Sequence, residues 1–510
     1  MTLSRIHCVS LIGLEALPVE VEVDVVPAEN LFLVLVGLPD TAVRESKDRV
    51  LTAIKNSGFR IEKIQCTVNL APGDLKKEGP IYDLPIALGL LRSSKFLKES
   101  KNLADYLVVG ELALSGQLRP IYGSLAVAML ARRMGKKGVL LPAVNAKEAA
   151  AVPGIDIFGI HSLNDAVQFL QGTSNLQPTQ ASISEDIFVQ PTSGIDFSDI
   201  KGQAHVKRAL EIAIAGGHNA VLMGPPGSGK TMLAKATVGI IPELTIEEAL
   251  EVTKIHSIAG LLPEGQGLIV ERPFRSPHHT ISYAGLIGGG SIPRPGEVSL
   301  AHNGILFLDE LPEFSRSVLE VLRQPLEDRQ VTISRANGSF TFPTSFICIA
   351  AMNPCPCGLL GHPEKPCKDS QSQIERYRSK ISGPLWDRLD MHIDVPALRY
   401  QDYQRKEEAE PSAAIRKRIK EARKIQYKRF GKAKTNAQLS SKEMKEYCKL
   451  NSASADLMQK AVDVMGISAR AYDRIIRVAR TIADLNGSQD IAEEHLMEAI
   501  NFRGLSKDSV

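Results

Sequence analysis

Gly224-Pro225-Pro226-Gly227-Ser228-Gly229-Lys230-Thr231 is the stretch whose reading decides the fold. It fits G-x-x-x-x-G-K-[ST], the pattern of phosphate-binding loops. The apolar run Ala220-Val221-Leu222-Met223 before it reads as a buried strand, and residues 232–238 read as the helix that follows. Glycines at these places let successive backbone N–H groups curl around a phosphate at a helix N-terminus, where the dipole also favours an anion. Lys230 is placed to reach the β- and γ-phosphates, and the Thr231 hydroxyl to ligate Mg²⁺.

Further along, Ile305-Leu306-Phe307-Leu308 reads as a second buried strand, ending in Asp309-Glu310. Asp309 is expected to hold Mg²⁺ through its water shell, and Glu310 to polarise an attacking water. The two motifs in this order predict an ATPase.

The bulk numbers bound the rest. A chain of 510 residues is too long for one core and predicts two to four domains. Its net charge of +3 is close to neutral, so nucleic-acid binding has to come from local patches. No apolar run approaches the ~20 residues of a membrane span. Met1-Thr2-Leu3-Ser4-Arg5 does not open a signal peptide, and seven cysteines do not make a disulfide framework. A reducing cytoplasm and no membrane association are expected.

Residues 1–171 read as one α/β unit. Val19-Glu20-Val21-Glu22-Val23-Asp24-Val25 alternates with period two, as a half-exposed strand does. Residues 31–36 and 106–114 read as further strands. Asp40 is a candidate N-cap for a helix over 41–56, and 83–91 reads as an apolar helix. Residues 172–193, rich in Ser, Thr, Gln and Pro, read as a linker. An ATPase core over 194–396, a basic helical connector over 397–436 and a terminal helical domain over 437–510 complete the chain.

More motifs lie between the two nucleotide elements. Arg272-Pro273-Phe274-Arg275-Ser276-Pro277-His278-His279-Thr280 precedes Leu286-Ile287-Gly288-Gly289-Gly290. Pro295-Gly296-Glu297-Val298-Ser299-Leu300-Ala301-His302-Asn303-Gly304 then leads into the Asp-Glu strand. In these strings the chain resembles the magnesium-chelatase-like AAA+ ATPases of the YifB/ComM family, over essentially its whole length. The resemblance implies an α/β fold: an AAA+ P-loop ATPase core, a C-terminal helical lid and an N-terminal Lon-protease-like α/β domain. It also implies a homo-hexamer that uses ATP and Mg²⁺ as a helicase on single-stranded or branched DNA, driving branch migration in natural transformation.

By the same resemblance Asn353, at the end of Ala350-Ala351-Met352-Asn353, matches the sensor-1 residue. Arg388, in Trp386-Asp387-Arg388-Leu389-Asp390, matches the arginine finger supplied by a neighbouring subunit, which neutralises charge on the transferring phosphoryl group. Arg470 matches the sensor-2 arginine of the lid, although Arg474 and Arg477 share its helix.

Two segments are candidates for DNA contact. Residues 258–286, with Arg272 and Arg275, look like the helix-2 insert of this clade. Residues 328–342 alternate as strands around Asn337-Gly338, a strong hairpin signal. Arg329 and Arg335 there suit phosphate contact; a purely structural hairpin is the other reading. The basic stretch 399–434 carries 13 Lys/Arg against 5 Asp/Glu. It fits a helix with an apolar stripe of Ile415, Ile419, Ala422 and Ile425, either a solvated face or a phosphate-binding one.

Cys355-Pro356-Cys357 and Cys367 stand where family members often carry four zinc thiolates, but Asp369 replaces the fourth cysteine. Either His362 or Asp369 completes a zinc shell, or the loop persists without metal. Cys8, Cys66, Cys348 and Cys448 read as buried thiols. In the Lon-like domain, Ile81 and Leu125 stand where a Ser–Lys pair is expected, so peptidase chemistry of that type lacks both its nucleophile and its base. Two alternatives to a DNA motor remain: a chelatase-type motor that remodels a partner protein for metal insertion, and an ATP-dependent protease, against which the missing pair argues.

Overall fold

The alternating residues near the N-terminus pair into a sheet. The computed structural model describes residues 3–61, 63–98, 100–180, 194–290, 293–335, 338–362, 364–397 and 409–503. Among them the chain forms two units. One comprises the described residues up to 180 together with Ile246–Val270; the other runs from 194 to Thr245 and resumes at Glu271.

The first unit holds a seven-stranded sheet, in the order Phe32–Val36, Ile64–Ala71, Glu15–Pro27, Ser4–Ile12, Tyr106–Val108, Gly138–Pro142, Asp156–Ile160. Val19, Val21 and Val23 are buried while Glu20, Glu22 and Asp24 stay half-exposed, as period two requires. Helix Thr41–Asn56 starts at Asp40, whose Oδ1 accepts from the Val43 N–H at 2.8 Å. The strand expected over 106–114 is interrupted. Val109 N–H donates to Leu140 and Gly110 N–H to Ile81, and Glu111–Leu112 pairs with Leu118–Arg119 instead.

The continuous core expected over 194–396 is also interrupted, because helix Ile246–Ala259 belongs to the first unit. Leu250 and Leu268 pack on that unit's core, Lys254 pairs with Glu15 at 2.7 Å, and Ser257 Oγ accepts from the Gly123 N–H at 2.8 Å. Its apolar residues find their partners far away in sequence, so no local signal marks the excursion. The expected linker is attached over its first part: Thr179 N–H donates to Ile157 and Leu176 packs on the core. Its remainder, 181–193, lies outside the described residues.

The second unit is built on a parallel sheet in the order Phe274–Arg275, Ile305–Leu308, Ile347–Met352, Ala220–Met223, Met391–Asp394. Its three central strands are buried along their whole length, as in a sheet covered on both faces. Helices Ser412–Phe430, Ser441–Tyr447, Ser452–Met465, Ala469–Leu485 and Glu493–Asn501 follow. Residues 504–510 lie outside the described residues.

The basic helix Ser412–Phe430 spends part of its charge within the chain, while Lys417, Lys424 and Lys428 stay exposed. Arg416 Nε donates to Gly239 at 2.8 Å, Arg418 pairs with Glu211, Lys420 with Glu243 and Arg429 with Asp484, and Arg423 donates to Ile214. Ile415, Ile419 and Ala422 are buried, but Ile425 is exposed, so the stripe is one residue shorter than expected. Residues 398–408, including Arg399, lie outside the described residues. Among the described residues no helix is long and apolar enough to cross a membrane.

Candidate active site

Parallel pairing puts the ends of the central strands side by side. Met223 lies opposite Met352, and the Gly224 N–H donates to the Met352 carbonyl. The phosphate loop and Asn353 therefore leave the sheet together, at the strand ends where ligands bind in open α/β sheets. Gly224 has no room for a side chain, since a Cβ would meet the Val395 carbonyl at 2.1 Å. Gly227 and Gly229 adopt φ of 76° and 87°, and a Cβ at Gly227 would point into open space. That leaves a bare backbone cradle of the kind a phosphate occupies.

Lys230 opens the following helix. Its ammonium donates to the Gly224 and Pro225 carbonyls at 2.7 and 2.9 Å and to Asn353 Oδ1 at 3.2 Å. These occupy its three donors, so a phosphate must displace one of them. Burial lowers the Lys230 pKa, and Asp309 opposes that shift. The Thr231 hydroxyl donates to Asp309 Oδ2 at 2.7 Å. Asp309 Oδ1 in turn accepts from the Glu310 N–H at 2.9 Å. Glu310 adopts φ 52°, a left-handed conformation uncommon for a residue with a side chain. Its carboxylate faces His279 Nδ1 at 3.6 Å. No sequence spacing singles out this histidine.

Arg388 and Arg470 differ sharply in setting. Arg388 is buried and engaged within its own chain, with Nε on the Arg323 carbonyl, Nη1 on the Pro384 carbonyl and Nη2 on Glu327. Arg470 stands exposed at the start of helix Ala469–Leu485, while Arg474, one turn on, pairs with buried Asp390.

The four arginines considered for DNA also separate. Arg272 donates to the carbonyls of Pro242, Glu243 and Asn303, and Arg275 makes a bidentate pair with Glu297 at 2.6 Å. Arg329 precedes the hairpin strands Gln330–Arg335 and Gly338–Pro343; its pKa is pushed down to about 10, chiefly by burial, with Arg477 and Arg474 adding to the shift and Asp390 opposing it. Arg335 is exposed at the end of its strand. Asn337, named in the hairpin expectation, lies outside the described residues. The outer face of the hairpin carries hydroxyl pairs, Thr332 with Thr341 and Ser334 with Ser339.

Cys355, Cys357 and Cys367 place their sulfurs 3.5 to 3.6 Å apart. Asp369 Oδ2 lies 3.8 Å from the Cys367 sulfur, and all four ligand atoms fall within 4.8 Å of one another. Tetrahedral zinc with bonds of about 2.0–2.3 Å has edges of roughly 3.3–3.8 Å, which the three sulfur separations and the Cys367–Asp369 separation match. His362 does not join the set: its Nδ1 accepts from the Glu364 and Lys365 N–H groups. Cys8, Cys66, Cys348 and Cys448 are buried free thiols. In the other unit Ile81 and Leu125 are buried core residues.

The sheet order, the glycine cradle and the Lys230–Asn353 and Thr231–Asp309 pairs define an AAA+ P-loop ATPase core with a C-terminal helical region. Residues 196–403 match magnesium chelatase, subunit ChlI; residues 21–145 and 409–503 match further parts of that subunit, the latter its C-terminal region. The chain is 43% identical over 507 residues to competence protein ComM of Haemophilus influenzae, covering 99% of this chain and 98% of that one. It is 42% identical over 511 residues to YifB of Salmonella typhimurium, with the same coverage. Lon protease 2 of Bacillus subtilis is 33% identical over 171 residues, 30% of this chain and 29% of that protein. The chain belongs to the YifB/ComM family of magnesium-chelatase-like proteins.

Proposed function

We propose that the chain is an ATP hydrolase that forms a hexameric ring and couples hydrolysis to translocation on DNA, remodelling branched recombination intermediates in the cytoplasm. The observation that carries the hydrolase reading is the meeting of Lys230, Thr231, Asp309 and Asn353 at one end of the parallel sheet. The backbone of Gly224 to Thr231 and the Lys230 ammonium hold the triphosphate, and Thr231 and Asp309 hold Mg²⁺. When bound, the ion screens phosphate charge. Glu310 Oε accepts the proton of the attacking water. Asn353 orients the γ-phosphate, and Arg388 reaches a neighbour's nucleotide by exchanging Glu327 for it. Arg470 or Arg474 serves as the lid arginine. The name competence protein, borne by the relative from Haemophilus influenzae, supports a role in natural transformation.

Arg335 and the hydroxyl face of the hairpin are the DNA-facing elements in this reading. Zinc at Cys355, Cys357, Cys367 and Asp369 braces the loop that begins at Asn353. The test is ATP turnover without DNA, with single-stranded DNA and with a four-way junction, using Glu310→Gln as the blank. Several-fold stimulation by DNA that the mutant lacks supports the motor. Turnover indifferent to DNA removes it and favours the chelatase-type alternative.

A further inference from the structure

We propose that Cys357 and Cys367 form a thiol–disulfide switch that governs nucleotide binding at the phosphate loop. The proposal rests on the hydrolase reading above and adds a modification site beside its cradle. The two sulfurs stand 3.6 Å apart, and both residues are partly exposed. A small turn of each side chain brings them to the roughly 2.05 Å of a disulfide. The third thiol of the cluster is out of an oxidant's reach, since Cys355 is fully buried. A bridge from Cys355 to Cys357 would also have to close over Pro356 alone, whose ring holds φ fixed.

The chain itself couples this pair to the cradle. Asn353, two residues before Cys355, accepts from the Lys230 ammonium at 3.2 Å. Gly358, directly after Cys357, lies so close to Pro226 that a Cβ would meet the proline Cδ at 2.4 Å. The Cys357 N–H donates to Asp369 Oδ2 at 2.8 Å, and the Gly358 N–H to the Cys355 carbonyl at 3.0 Å. Arg378 Nε holds the Pro354 carbonyl at 3.1 Å. A bridge from Cys357 to Cys367 resets the residue next to Gly358, and a turn packed this closely has no slack to absorb the shift. Oxidation also withdraws two of the four ligand atoms that gather within 4.8 Å, leaving Cys355 and Asp369, too few to hold zinc.

The chemistry is a two-electron oxidation by a hydroperoxide. One thiolate attacks a peroxide oxygen and breaks the O–O bond, which leaves a sulfenic acid and, from hydrogen peroxide, one water. The other sulfur then attacks the sulfenic sulfur, forms the S–S bond and expels a second water. The two thiols lose two electrons and two protons, and the peroxide carries them away as water. A dithiol reverses the reaction by exchange.

The full-length protein is treated with hydrogen peroxide and then with dithiothreitol. The bridge is followed by mass spectrometry and nucleotide binding by the Kd of a fluorescent ATP analogue. Cleavage after Glu364 separates Cys357 from Cys367, so a bridge shows as one linked pair of peptides. Peroxide is expected to form that bridge and to raise the Kd about fivefold or more, the ordinary scale of coupling between two sites. Dithiothreitol restores both. Cys357→Ser and Cys367→Ser show no change of Kd on adding peroxide, whereas Cys448→Ser responds as the wild type does. The absence of the bridge overturns the proposal, as does a bridge that leaves the Kd unchanged. A rise in Kd that persists in Cys357→Ser, or that dithiothreitol does not reverse, overturns it too. Where a variant fails to fold, the wild type alone decides: across a series of thiol–disulfide buffers the bridged fraction and the Kd share one midpoint, and separate midpoints overturn the switch. Equal turnover in reduced wild type and Glu310→Gln overturns the hydrolase reading itself, a failure distinct from that of the cysteine pair.

Discussion

Gly358 lies directly against Pro226: a Cβ on Gly358 would meet the proline Cδ at 2.4 Å. The turn that follows Cys355 and Cys357 therefore rests on the phosphate loop, and the same chain segment carries Asn353 to Lys230. The cysteine-bearing turn thus touches the nucleotide cradle at Pro226.

Gly358→Ala is expected to weaken nucleotide binding roughly tenfold, because overpacking of about 1–3 kcal/mol falls on Pro226. Gly361 is the control. It has the same φ of 75°, but a Cβ there meets nothing within 4 Å. Gly361→Ala should carry the backbone strain alone and leave binding of a fluorescent ATP analogue unchanged.

The purified protein should hold one zinc ion by elemental analysis, and a chelator should lower its unfolding temperature. Cys367→Ser and Asp369→Ala should lose the ion and the chelator response together. His362→Ala should keep both, since its Nδ1 is used within its own turn.

Arg272→Ala strands the carbonyls of Pro242, Glu243 and Asn303. It should cost about 1–3 kcal/mol of stability, seen in urea unfolding. Arg335→Ala should leave stability within about 0.5 kcal/mol, as an exposed substitution does. If the hairpin contacts DNA, Arg335→Ala reduces the salt slope of binding by about 1 and Arg272→Ala does not.

Burial and Arg503 push the His392 pKa down to about 3, so the folded protein keeps the imidazole neutral while the unfolded chain protonates it near its ordinary value of 6.5. The unfolded state then binds more protons below pH 6.5, and stability falls with pH by up to about 1.4 kcal/mol per unit from this group until pH 3. The contribution is fully present above pH 6.5. His392→Gln should flatten the decline between pH 7 and pH 5 in denaturant titrations. A slope unchanged by the mutation would place the acid sensitivity elsewhere.

The sequence by itself determined what consecutive residues determine. The phosphate loop was legible because its chemistry needs glycines, a lysine and a threonine at fixed spacing. The Asp40 cap and the alternation of Val19, Val21 and Val23 were legible for the same reason: one turn or one pleat sets them. The three cysteines were legible as a cluster, but the choice of Asp369 over His362 was not, since both lie within reach along the chain.

Only the tertiary structure decided the rest. The pairing of His279 with Glu310 follows from the register of two strands whose order in the sheet no local pattern encodes. Tertiary partners made Arg272 and Arg275 structural ties, and burial enclosed Arg388 against Glu327, although composition marks all three simply as basic. Helix Ile246–Ala259 joins the first unit because its apolar residues bury there, a free-energy gain made against a distant surface. Local chemistry is written in spacing; which charges are solvated and which are paired is settled by what the fold packs around them.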